Sequence, residues 1–324
     1  MTTLITGAAG FIGFHTARAL LARGEPVIGL DNLNDYYSPA LKRARLERLA
    51  TERGFTFVEA DIAEMDQLTA AVAGRRIVRI VHLAAQAGVR HSLDNPHAYV
   101  RSNLVGHANM LELARYADAL EHMCYASSSS VYGGRTDLPF RETDRVDAPV
   151  SLYAATKRAD ELMSHTYSHL YRIPQTGLRF FTVYGPWGRP DMAYWTFTEK
   201  ILAGEQIQVF NRGDMLRDFT YVDDIVEGVV RIVTTGHVRP LEVPHALYNI
   251  GNNRPERLND FIAILERLTG RRAVRQELPM QPGDVPATYA DITAIRADYG
   301  FEPTTDLDTG LARFVAWFRQ HFNV

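Results

Sequence analysis

Cysteine is nearly absent: Cys124 is the only one in 324 residues, so no intrachain disulfide can form and no paired-cysteine metal site can be built. Such sparing use of thiols points to a reducing compartment, and a cytoplasmic location is the expectation. An excess of either charge is also missing. With 35 Lys and Arg against 38 Asp and Glu the formal net charge is −3, which argues against a nucleic-acid partner but allows a local cationic pocket. Long apolar runs are lacking too. The longest stretch without Asp, Glu, Lys or Arg, residues 1–17, carries three glycines and no basic start, and it is too short to cross a bilayer. No membrane partner is expected. Repeats with a period of 20 to 50 residues are absent, and no low-complexity tract exceeds Ser127-Ser128-Ser129-Ser130.

What is present is the composition of a globular protein, 46% hydrophobic and 23% charged, long enough to bury a substantial core and to divide into two domains. Strand-length apolar runs near 2–6, 27–31, 56–60, 77–83, 122–127 and 176–181 alternate with helical periodicity near 11–23, 40–53, 64–73, 97–117 and 152–171. Such βαβ alternation predicts an α/β fold, a Rossmann-type doubly wound parallel sheet with helices on both faces. Beyond Arg179 the pattern breaks into Gly- and Pro-rich stretches, with helices expected near 193–203, 222–235, 257–268 and 306–320. Residues 1–178 are therefore assigned to the first domain and 179–324 to a smaller mixed α/β domain, some of whose segments return to the first.

Gly7-Ala8-Ala9-Gly10-Phe11-Ile12-Gly13 stands between the first strand and the first helix. Small residues there let a backbone approach a pyrophosphate while the helix N-terminus offers N–H groups, although the same glycines could merely make a tight turn. The next strand delivers Asp31, 24 residues after Gly7. An acidic side chain at that place accepts from ribose hydroxyls and repels a 2′-phosphate, so NAD is expected rather than NADP. Asp61, at the end of the third strand, either meets an adenine amino group or caps the helix before Ala63.

Tyr153 and Lys157 lie four apart in a helical segment, on one face, in a chain with only three lysines. A phenol with a pKa of about 10 is a poor base at neutral pH, and a neighbouring ammonium favours its phenolate. Upstream, an apolar strand runs into Ser128, Ser129 and Ser130 at its C-terminal edge, where open α/β sheets bind ligands; strand alternation would put Ser128 and Ser130 on one side. The bland alternative is a solvated serine loop.

Taken together, these residues resemble the extended short-chain dehydrogenase/reductase family over nearly the whole chain, and among its members UDP-glucuronate 4-epimerases. The likeness rests on residues 29–37, 82–90 and 280–291, on Ser151-Leu152-Tyr153-Ala154-Ala155-Thr156-Lys157, and on Arg179-Phe180-Phe181-Thr182-Val183-Tyr184-Gly185-Pro186-Trp187-Gly188-Arg189-Pro190-Asp191-Met192-Ala193. The resemblance implies NAD as cofactor, a UDP-sugar as substrate and a homodimer joined through the 97–117 and 152–171 helices, with Leu104, Met110, Leu111, Leu162 and Met163 as apolar contributors. It implies Tyr153 as base, Ser128 as partner of the sugar O4 and Lys157 as anchor of the nicotinamide ribose. Gly7, Gly10, Phe11, Ile12, Gly13, Asp31, Asn32, Asp61, Ile62, Leu83, Ala84, Ala85 and Asn103 would attend the cofactor. Arg217 would clamp the diphosphate, or else pair with Asp214 or Asp218. Asp284 would meet the uridine ribose. Gln281 stands where galactose-type epimerases often carry a second phosphate-binding arginine, a role open to Arg189.

The activity implied is 4-epimerisation of UDP-glucuronate to UDP-galacturonate through a 4-keto sugar, with the carboxylate held by Ser129, Ser130, Thr182 and Arg189. Three alternatives stand beside it. UDP-glucuronate decarboxylases characteristically have an acidic residue where this chain has Ser130; UDP-galactose 4-epimerase uses the same Tyr/Lys pair without a carboxylate grip; a non-catalytic NAD sensor would have lost that pair.

Overall fold

The computed structural model describes residues 2–280 and 285–324. Its first half runs β1 (Thr2–Thr6), α1 (Phe11–Ala22), β2 (Val27–Asp31), α2 (Pro39–Ala50), β3 (Phe55–Glu59), α3 (Met65–Val72), β4 (Ile77–His82), α4 (His91–Asp94) and α5 (Pro96–Tyr99). A π-helical turn (Val100–Val105), α6 (Gly106–Arg115), β5 (His122–Ser128), α7 (Leu152–Tyr171) and β6 (Gln175–Phe180) follow. Then come β7 (Thr182–Tyr184), α8 (Ala193–Ala203), β8 (Gln206–Phe210), β9 (Leu216–Tyr221), α9 (Val222–Thr235) and β10 (His245–Ile250). The chain continues with β11 (Pro255–Arg257), α10 (Leu258–Thr269), β12 (Val274–Leu278), α11 (Thr293–Tyr299) and α12 (Leu307–Phe322).

Seven parallel strands form the main sheet in the order β10-β6-β5-β4-β1-β2-β3. Successive side chains of its central strands enter opposite cores: Leu4, Ile80 and Tyr125 join one apolar cluster with Met110 and Leu111 of α6. Ile5, Val81 and Cys124 join the other, with Phe14 of α1 and Val229 of α9. A sheet covered on both faces therefore has central strands buried along their whole length, as β2 is, apolar from Val27 to Leu30 before Asp31 closes it. Chain order reverses between β1 and β4, and the crevice beyond the strands' C-terminal ends at that point is where such sheets take ligands. The antiparallel β11-β9 pair with parallel β7, together with the parallel β12-β8 pair, forms the smaller sheets.

Three features depart from expectation. The helix expected over 97–117 is instead α5, the π-turn and α6: Pro96 opens a fresh helix, and the side chain of Asn103 is fully engaged elsewhere, as described below. A π-turn accommodates one extra residue at such a point. Asp61 does not cap α3, which starts at Met65; its Oδ1 accepts from the Ala63 N–H at 2.9 Å in a local turn. Met110 and Leu111 are wholly inside the chain rather than on an outer face, because α6 packs them onto β1 and β4. Among the described residues no helix is long and apolar enough to cross a membrane.

Three histidines are shut into this core. His82 bonds Thr6 Oγ1 at 2.7 Å and stacks on His107, which bonds Ser164 Oγ at 2.8 Å, while His122 bonds Thr176 Oγ1 at 3.0 Å. Burial lowers the pKa of all three, that of His122 to about 3. Between that value and 6.5 the unfolded chain binds protons that the native rings refuse, so stability is lost as pH falls below 6.5. His122 alone should withdraw about 1.3 kcal/mol between pH 7 and 5.5. Asp218, whose carboxyl burial raises to about 6, acts with the opposite sign and should return about 0.8 kcal/mol over the same interval. Urea unfolding is expected to give a falling midpoint across this window; a flat profile would mean that the rings accept protons in place.

Candidate active site

A continuous cavity of about 1000 Å³ opens at the C-terminal ends of the sheet. At one end lies the β1–α1 turn. Gly7 has φ +73°, and a Cβ on Gly13 would sit 2.1 Å from the Gly7 carbonyl oxygen, so the turn and the helix can be this close only without side chains. No side chain caps the start of α1, which leaves its first N–H groups available to an anion. Asp31, 7% exposed, accepts from Ala9 N at 3.1 Å and Leu33 N at 2.9 Å. Burial pushes its carboxyl up, opposed by the Lys42 ammonium and these N–H groups. Asn32, Asp61, Ile62, Leu83, Ala84 and Ala85 continue this wall; Asp61 also takes Arg101 at 2.9 Å. A glycine turn, an unblocked helix start and a carboxylate closing the next strand suit the pyrophosphate and ribose of NAD.

The middle of the cavity belongs to α7. Ser151 caps it, accepting from Ala154 N at 3.1 Å, so the helix starts immediately before Tyr153 and presents Tyr153 and Lys157 together. Both line the cavity. The Tyr153 ring meets Tyr99 edge-on at 6.1 Å. Lys157 donates to Ala126 O at 2.9 Å and to Asp160 Oδ2 at 3.0 Å, and both members of that ion pair are buried. Asn103 stands behind the wall: its Oδ1 accepts from Gln86 N at 2.8 Å and its Nδ2 donates to Gln86 O and Thr156 Oγ1. It thereby pins the loop after β4 to α7.

Opposite lie the serines. Strand alternation stops at Ser128, where the chain turns into a 3₁₀ segment, Ser129–Tyr132, capped by Ser128 Oγ accepting from Ser130 N at 3.2 Å. Ser128, Ser129 and Ser130 all reach the cavity as a result. Ser127 is tied to Glu161 Oε1 at 2.6 Å. Thr182 of β7 and Arg189 line the same region. Arg189 is paired in bidentate fashion with Asp191, at 3.1 Å through Nε and 2.5 Å through Nη2, and Asp191 also accepts from Tyr36 OH at 3.1 Å. Burial and then this carboxylate push the Tyr36 hydroxyl up to about 12, which keeps it a donor. Asp191 uses two of the five N–H donors a guanidinium has, so Arg189 can serve a second anion.

Arg217, on β9, completes the far end with Lys200, Gln208 and Phe210; its Nη1 donates to Leu216 O at 2.9 Å and Pro286 O at 3.3 Å. Asp218 accepts from the backbone N–H groups of Asn252, Asn253 and Ala290. Gln281 and Asp284 lie outside the described residues. Among the described residues no cluster of three or more His, Cys, Asp or Glu is placed to hold a metal.

Sequence spacing had not singled out Asp160, although it lies three residues beyond Lys157 and so on the same helix face. Tyr36 and Asp191 sit inside the quoted stretches, yet nothing in their spacing pairs residues 155 positions apart.

Known proteins resemble the chain along its whole length. The model of the NAD dependent epimerase/dehydratase family matches residues 3–251. UDP-glucuronate 4-epimerase 4 of Arabidopsis thaliana is 47% identical, over 100% of this chain and 76% of that one. The probable UDP-glucuronate 4-epimerase of Rhizobium meliloti (strain 1021) is 46% identical, over 99% and 98%. Among solved structures, UDP-glucuronic acid 4-epimerase from Bacillus cereus in complex with UDP-glucuronic acid and NAD matches with a TM-score of 0.90 and 32% identity, over 99% of this chain and 100% of that one.

Proposed function

Since the chain belongs to the NAD dependent epimerase/dehydratase family and is an epimerase that uses NAD, we propose that it interconverts UDP-glucuronate and UDP-galacturonate with the carboxylate retained. One observation carries this. A single cavity joins the dinucleotide turn, the Tyr153–Lys157 face, and a group of Ser129, Ser130, Thr182 and Arg189 whose hydroxyls and guanidinium suit a carboxylate.

Bound NAD supplies the acceptor and later the donor of a hydride at the sugar C4. Tyr153 takes the O4 proton and returns it, Ser128 holds the same oxygen, and Lys157 provides counter-charge one helical turn away. Between the two steps the 4-keto sugar turns over in the pocket and presents its other face, so no net oxidation results. The 4-keto uronate is a β-keto acid. To keep its CO2, the protein must hold the carboxylate so that the C–C bond stays poorly aligned with the carbonyl π system, and Ser129, Ser130, Thr182 and Arg189 form that grip. Arg217 clamps the diphosphate, its guanidinium matching two phosphate oxygens.

Product chromatography after incubation with UDP-glucuronate tests the proposal. UDP-galacturonate is expected, with UDP-glucose at least about tenfold slower, because a neutral hydroxymethyl group leaves buried polar partners unmatched. Thr182→Ala or Ser130→Ala should let a pentose nucleotide appear. Mainly UDP-xylose from the wild-type protein, or equal turnover of UDP-glucose, would move it to one of its neighbours.

The same proposal includes a homodimer through α6 and α7. Leu162 and Leu170 of α7 are 53% and 59% exposed, and Tyr116, just past α6, is 68% exposed. Light scattering at micromolar concentration should give twice the 36.4 kDa chain mass; a purely monomeric reading counts against it.

A further inference from the structure

Arg45, on α2, is fully buried and lies outside the groups to which chemistry has been assigned above. Its guanidinium donates to four neutral oxygens on three separate segments. Nη1 reaches Ala9 O and Tyr37 OH, both at 2.8 Å; Nη2 reaches Trp187 O at 2.6 Å and Gly188 O at 2.7 Å, and Nε shares Trp187 O at 3.1 Å. Ala9 belongs to the dinucleotide turn, and its own N–H is held by Asp31. Trp187 and Gly188 immediately precede Arg189. Trp187 has φ +60°, a conformation that residues with side chains rarely adopt and that persists only where the surroundings over-determine it. Those surroundings are here: Arg45 takes two consecutive carbonyls, His15 Nε2 bonds Pro186 O at 2.9 Å, and Tyr194 OH accepts from Arg189 N at 2.8 Å.

We infer that Arg45 is a positioning residue that fixes the Arg189 guanidinium relative to the dinucleotide turn, and that the discrimination of a uronate from a neutral hexose depends on it. The inference rests on the uronate assignment above. A guanidinium spans these oxygens because its donors diverge in one plane; the single ammonium of a lysine cannot satisfy all three segments. Releasing the carbonyls of Trp187 and Gly188 frees the backbone that leads into Arg189, and displacements of about 1 Å at a positioning contact can cost up to about 100-fold.

The test is calorimetric titration of the NAD-loaded protein with UDP-glucuronate and with UDP-glucose, in the wild type, Arg45→Lys, Arg189→Ala and the double variant. Arg45→Lys should lower the affinity ratio of uronate to hexose by about tenfold or more, and it should lower it no further in the Arg189→Ala background. General loosening of the fold would weaken both nucleotides alike and leave the ratio unchanged. A ratio unchanged by Arg45→Lys, or a loss that adds in full to that of Arg189→Ala, overturns the inference. If Arg45→Lys fails to fold, Tyr37→Phe removes one of the guanidinium's acceptors and should shift the ratio the same way by about threefold; no shift there is equally fatal. A wild-type protein with no preference for the uronate defeats the assignment itself, and the role of Arg45 falls with it.

Discussion

Tyr153→Phe is expected to lose most epimerisation, about 10²- to 10⁴-fold in turnover, while binding NAD as before. The substitution removes one oxygen and keeps the ring, so the edge-on contact with Tyr99 and the Ser151 cap that starts the helix both survive. Lys157 keeps its bonds to Ala126 O and Asp160, so the wall of the cavity around it should be undisturbed. What is lost is the hydroxyl proposed above to carry the O4 proton, and the Ser128 hydroxyl, proposed to hold the same oxygen, has no base in that place to replace it. Steady-state turnover of UDP-glucuronate with parallel titration of NAD separates the two effects. Near-normal turnover would remove Tyr153 from proton transfer, and a parallel loss of NAD binding would mean that its role is structural.

The largest effect on stability is expected at Glu161. Its carboxylate meets Arg179 through two bonds, Nε to Oε1 at 2.8 Å and Nη2 to Oε2 at 2.9 Å, with both side chains 1% exposed. It also accepts from Ser127 Oγ at 2.6 Å and Arg158 Nη1 at 3.0 Å. Burial alone would push the carboxyl up; the Arg179 bonds and charge outweigh it and hold Glu161 below the ordinary range. Arg179 in turn donates to Tyr132 OH at 3.0 Å, which donates to Asn249 Oδ1 at 2.6 Å. Glu161→Ala therefore strands a buried guanidinium at the junction of α7, β5, β6 and β10. Loss of one partner of such a pair typically costs about 3–5 kcal/mol. Urea unfolding at neutral pH measures it, and a loss under about 1 kcal/mol would mean that water or a rearranged neighbour satisfies Arg179. Glu161→Leu combined with Arg179→Met should recover part of the loss, because it removes both charges.

The parallel sheet was legible because strand-length stretches rich in apolar residues alternate with segments of clear helical period. Tyr153 and Lys157 were legible because a four-residue spacing on a helix fixes a shared face. Other features were not. β7 and β11 are three residues long, too short for alternation to register, and β12 is mostly exposed, with no apolar run to mark it. β10 resembles its Pro-rich surroundings until β6 is there to pair with it. α11 went unseen because seven residues provide barely two turns of period. At the serines the expected alternation stopped at Ser128, two residues short of Ser130, when a side-chain cap turned the strand into a 3₁₀ segment. The site's rim depends on partners far apart in the chain, Tyr36 with Asp191 and Arg45 with Trp187, for which no sequence spacing exists to be read.

The edge strand β10 bears on how proteins of this architecture can be recombined. It returns from the second half of the chain to pair with β6 in register from His245 opposite Gln175 to Ile250 opposite Phe180, and it brings His245 onto Tyr125 OH and Asn249 onto Tyr132 OH. A chimera joined just after β6 would exchange the smaller sheets and their helices but would also graft a foreign border strand onto the host sheet. Where the two parents differ at those contacts, the border would seat poorly and leave a row of unpaired backbone groups open to another molecule. Residues 122–132, 175–180 and 245–250 therefore behave as one unit of inheritance, and crossovers that keep them from a single parent are those that should yield soluble hybrids.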